Sequence, residues 1–168
     1  MRRYLVMLMA CALVLLAFSA AASAASGDRP FKGNVSGEVV FTPDPASPSP
    51  TGLWTDSSAV GKVSHLGKTV MTGRHPTPTG TDISGGNMKL IAANGDEVWM
   101  TYSGFAPYPV IGVPGTIVVD VDFTIAGGTG RFADASGGGK MTGYAEFPGV
   151  LTLGPWPASW IWKAKIRY

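Results

Sequence analysis

The sequence predicts an all-β protein, a single antiparallel barrel of seven or eight strands closed by its own two ends. Three observations lead there. From residue 31 onward the chain repeatedly alternates apolar and polar side chains, the period of a strand with one dry face. No stretch of it sustains a helical period, and glycine and proline open or close each alternating run. The first and last runs are long and well patterned, and pairing them with each other removes two exposed sheet edges.

Residues 1–24 stand apart. Arg2 and Arg3 precede an apolar run from Tyr4 to Phe18, and Ala22-Ser23-Ala24 follows. That is the charged, apolar and small-residue order of a secretory signal peptide, with cleavage expected after Ala24. The run is too short for a span of roughly twenty residues, so no membrane span is expected to survive cleavage. It also continues past Cys11, which argues against a lipoprotein acylation site. The Arg2-Arg3 pair lacks the longer motif of twin-arginine export. The expected location is therefore secreted or periplasmic. Cys11 is the only cysteine, so residues 25–168 have neither a disulfide nor thiol chemistry. Arg2 and Arg3 are two of the 13 basic residues, which leaves 11 basic against 11 acidic ones. A neutral chain without basic clusters gives no support for nucleic-acid binding.

Residues 25–30 read as a short unstructured lead, and 31–168 as the barrel domain. Phe31 to Thr42 is the first strand, with Phe31, Val35, Val39 and Phe41 on one face. Pro43, Pro45, Pro48 and Pro50 then predict a loop, because proline has no ladder donor. Val60 to Thr72 is extended with a bend at Gly67, as one bent strand or two short ones. Pro76 to Gly80 is a turn-rich connection. Gly86 to Ser103 is a hairpin around Asn94-Gly95. A three-residue loop with Gly95 left-handed sets Leu90 opposite Val98 and Met88 opposite Met100. That register puts Met88, Leu90, Val98, Met100 and Tyr102 on one face, whereas a two-residue loop mixes Lys89 into it.

Gly104 to Gly115 and Pro148 to Pro157 are two further proline loops. Trp54, Phe105, Tyr108 and Trp156 are expected to stand on loops. Between those two loops, Ile117, Val119, Val121, Phe123 and Ile125 alternate with Thr116, Asp120, Asp122 and Thr124. A second, glycine-rich strand runs from Lys140 to Phe147. Ser159 to Tyr168 closes the chain with Trp160, Trp162, Ala164 and Ile166 on one face and Lys163, Lys165 and Arg167 on the other.

The candidate motifs mostly reduce to structure. Gly128-Thr129-Gly130-Arg131-Phe132-Ala133 fits a dinucleotide fingerprint only if a helix follows, and the glycines and polar residues after it lead into a strand. Gly67-Lys68-Thr69 lacks the first glycine of a phosphate loop, since residue 62 is Lys62. His65 and His75 have no cysteine or carboxylate pair beside them, so no metal site is expected. Asp120 and Asp122 oppose an apolar stripe and belong to the outer surface. Asn34-Val35-Ser36 is a glycosylation acceptor only in a eukaryotic source. Five tryptophans raise the question of carbohydrate stacking. Trp160 and Trp162 fall on the core face, which leaves Trp99 and Trp156 as the freer candidates.

Ile125-Ala126-Gly127-Gly128-Thr129-Gly130-Arg131-Phe132 resembles the Gly-Gly-Thr-Gly-x-Phe turn of the allene oxide cyclase and dirigent barrels. Ser64 to Gly67 and Ala92 to Asp96 match segments that accompany that turn in secreted bacterial proteins with an allene-oxide-cyclase-like barrel. The resemblance implies an eight-stranded antiparallel barrel over 31–168, trimeric in the plant relatives, and no cofactor. It carries over no catalytic residue. Gly127, Gly128, Gly130 and Phe132 are read as the structural turn. His65, Tyr102, Trp99, Trp156 and Arg131 are the candidates for contact with a ligand. The inward stripes hold no carboxylate, and proton transfer needs a positioned carrier. The expected function is therefore a binding module for a small hydrophobic molecule or a partner. The alternative is a cofactor-free isomerase or cyclase with His65 or Tyr102 in its cavity.

Overall fold

A computed structural model describes residues 27–168; the leader expected over 1–24 lies outside the described residues. Eight strands run in chain order, each antiparallel to the next: β1 (Arg29–Pro43), β2 (Leu53–Val63), β3 (Gly67–Pro76), β4 (Asp82–Ala92), β5 (Glu97–Phe105), β6 (Gly115–Gly128), β7 (Ser136–Phe147) and β8 (Trp156–Arg167). β1 pairs with β8 from Arg29↔Ile166 to Val39↔Trp156, so the sheet closes into a barrel. Closure satisfies the edge donors and acceptors that both terminal strands would otherwise expose.

The two ends of the barrel differ. At one end the connections are tight: Ser64 to Leu66, Ala93 to Asp96, and the turn around a three-residue 3-10 helix at Gly130–Phe132. Beneath these turns lie the least accessible large side chains, Phe31, Met71, Leu90, Phe132, Trp162 and Ile166. The long proline-rich connections all fall at the other end, where the apolar packing thins out. The core thus fills one end of the barrel and leaves the other open.

The β4–β5 hairpin has the register that the apolar face demands, Leu90↔Val98 and Met88↔Met100. Gly95 has φ +87° and donates to the Ala92 carbonyl, and Ala92 N–H donates to Asp96 O at 2.8 Å. Several boundaries move. β1 begins at Arg29, because the far end of β8 supplies partners for Arg29 and Pro30, and it ends at Pro43 opposite Leu53. Val60 to Thr72 is two strands. The bend expected at Gly67 is the end of their turn, in which both His65 (φ 69°) and Gly67 (φ 72°) take the left-handed conformation. Trp54 lies inside β2, Phe105 ends β5 and Trp156 opens β8; of the four aromatics expected on loops, Tyr108 alone is on one.

Candidate functional site

The open end holds a cavity of about 540 Å³, within the range of a site for one drug-sized ligand. Its walls follow from strand parity. β1, β6, β7 and β8 contribute Val39, Phe41, Ile117, Val119, Met141 and Trp160. The facing strands β2, β3 and β5 contribute Thr55, Ser57, His75 and Tyr102. No residue lining it carries a formal charge. At the mouth Leu151 and Leu153 line the cavity with Pro107, Tyr108 and Pro109, and the same two loops, which hold no charged residue, also expose Val110, Ile111, Val113 and Val150. The two loops are joined where Gly112 N–H donates to Gly149 O at 2.7 Å.

His75 and Tyr102 meet on the polar wall, Nδ1 to hydroxyl at 2.9 Å, with the rings edge to face. Burial pushes the imidazole down to about 4, against a smaller opposing pull from the Asp56 carboxylate. Burial also raises the Tyr102 hydroxyl well above its ordinary value. Both groups are neutral at pH 7. The remaining hydroxyls on this wall have partners of their own: Thr55 and Thr77 bond each other at 2.9 Å, and Ser57 donates to Gly73 O at 3.3 Å.

The five candidates from the sequence are scattered. Tyr102 and Trp156 line the cavity. Trp156 packs edge to face on Phe41 and Phe147 and donates its indole N–H to Thr152. Trp99 is on the outer surface, donating to Glu97 at 2.7 Å. His65 and Arg131 are at the closed end. His65 holds the Pro30 carbonyl through Nε2 and packs on Tyr168, while Arg131 donates to the His65 carbonyl and faces Asp96. The histidine of the cavity is thus His75, not His65. It follows Met71 and Gly73 at the strand period, and this parity is the signal that would have placed it inside.

The turn glycines serve the backbone. Gly127 and Gly130 have φ +115° and +55°. A Cβ on Gly128 would run into the Glu97 carbonyl, and one on Gly130 into the Asp96 carboxylate. Thr129 locks the turn to β5 by accepting the Glu97 N–H at 2.9 Å. Only the three-residue 3-10 helix separates the turn from β7, so no α-helix starts here to face a phosphate. Among the described residues no group of three or more His, Cys, Asp or Glu could hold a metal ion. Comparison with known protein families, with curated proteins and with solved structures finds no match to this chain.

Proposed function

We propose that this protein is an exported binding module that takes a small hydrophobic molecule into the open end of its barrel. The observation that carries the reading is the cavity itself: about 540 Å³, uncharged, and continuous with an exposed aliphatic mouth. A filled barrel needs no such space, and large exposed apolar patches mark sites of interaction. The likeness of the central turn to allene oxide cyclase and dirigent barrels supports the same reading. So does the leader-like N-terminus, whose residue order is that of an export signal.

Trp156 and Trp160 line the cavity and report on its contents. Titration with fatty alcohols, phenolics and oligosaccharides should quench tryptophan fluorescence saturably for the first two classes and not for the third. No saturable response from any class would remove this reading. A second reading, a cofactor-free isomerase or cyclase, rests on His75 and Tyr102, a neutral pair able to exchange a proton inside the cavity. The same mixtures, followed by mass and NMR spectra, distinguish the two. A chemical change in the ligand that His75→Phe abolishes would favour the enzyme.

A further inference from the structure

The polar wall narrows the class of ligand. Tyr102 on β5 and His75 on β3 are separated by β4, yet their polar atoms are 2.9 Å apart. The reach depends on Gly86, which is opposite Tyr102 on β4: a Cβ there would collide with the Tyr102 ring. The missing side chain lets the phenol lie across the strand.

A neutral imidazole has one N–H and one lone-pair nitrogen, and a phenol has one O–H. One hydrogen bond joins them, so one donor is spent and one is left, whichever tautomer the ring adopts. If Nδ1 donates, the Tyr102 O–H is free; if Tyr102 donates, the His75 Nε2–H is free. Among the described residues Tyr102 is the sole hydrogen-bonding partner of the His75 ring. The cavity thus offers this unspent donor on its polar wall, beside the one O–H that the Thr55–Thr77 pair leaves over, and no cation to balance an anion.

We propose that the site selects uncharged ligands that carry a carbonyl or equivalent acceptor oxygen on one edge. The apolar body packs on Val119, Met141 and Trp160, and the oxygen takes the free donor of the His75–Tyr102 pair. Carboxylates are rejected, because they would be buried without a counter-charge. Hydrocarbons bind less well, because they leave the donor unpaired in a dry site. The inference rests on the binding reading above.

Three probes of one shape test it at pH 7: fluorene, 9-fluorenone and fluorene-9-carboxylate. The ketone should bind about 3- to 10-fold more tightly than the hydrocarbon, the yield of one neutral hydrogen bond. The carboxylate should bind at least about tenfold more weakly than the ketone. In the double variant His75→Phe/Tyr102→Phe, ketone and hydrocarbon should become equal within about twofold, with retained fluorene affinity showing that the cavity survives. Equal binding of ketone and hydrocarbon by the unaltered protein, or carboxylate binding as tight as the ketone's, overturns the selectivity and leaves the binding module standing. Failure of all three probes to bind overturns both.

Discussion

His65 and His75 lie ten residues apart and have unrelated tasks. His65 is a corner: its left-handed backbone turns β2 into β3, and its ring and carbonyl are held by Pro30, Tyr168 and Arg131. His75 faces inward, where burial holds it neutral to about pH 4. An unfolded His75 takes up its proton near the ordinary value of 6.5. Between pH 6.5 and about 4 the unfolded chain therefore binds a proton that the folded chain refuses, and stability falls as the pH falls. Its contribution is complete above 6.5, and the loss across the window is roughly 2–3 kcal/mol. Asp56 on β2 is the charged neighbour opposing the shift, and Tyr102 stays neutral throughout. Thermal melts from pH 7 to 4 should show a steeper loss for the unaltered protein than for His75→Phe. Equal slopes would mean that His75 is solvated when folded.

At the scale of elements, strand period carried most of the information. β4 to β8 follow from alternation, because a single misplaced residue would bring Lys89, Asp120 or Lys163 into the core. The sequence misled where local chemistry and tertiary pairing part company. Proline flanks hid the strand positions of Trp54 and Trp156, although β1 and β8 supply partners there. The β2–β3 turn was legible as the bend at Gly67, but the left-handed His65 beside it was not. The polar site was illegible for a different reason. The His75–Tyr102 contact spans three strands and 27 residues and depends on an empty position, Gly86. The β4–β5 turn gives the clearest element-scale test. Nothing lies within 4 Å of a Cβ at Gly95, so a substitution there meets no clash and measures only the cost of φ +87°. Gly95→Val should cost about 1–3 kcal/mol by chemical denaturation. An unchanged midpoint and slope would contradict a left-handed residue at this turn.

At the scale of the whole molecule, the proposed division between a packed end and a binding end of the barrel can be tested at the closed end. Phe132 is wholly buried beneath the central turn, edge to face with Tyr168 at 4.9 Å, and its ring stoppers the barrel opposite the cavity. Phe132→Ala should cost about 3–5 kcal/mol, since it leaves a void among residues held by short turns. Arg131 is half exposed and its work is local: it caps the His65 carbonyl, faces Asp96 at 3.8 Å and lies over the Phe132 ring. Exposed pairs of this kind are worth about 0–1 kcal/mol, so Arg131→Ala should be mild. Neither residue lines the cavity. Both variants, assayed below their melting temperatures, should therefore keep the ligand affinity of the unaltered protein. The opposite pattern, an Arg131→Ala protein of full stability that no longer binds, would move the functional site to the glycine turn and leave the cavity without a role.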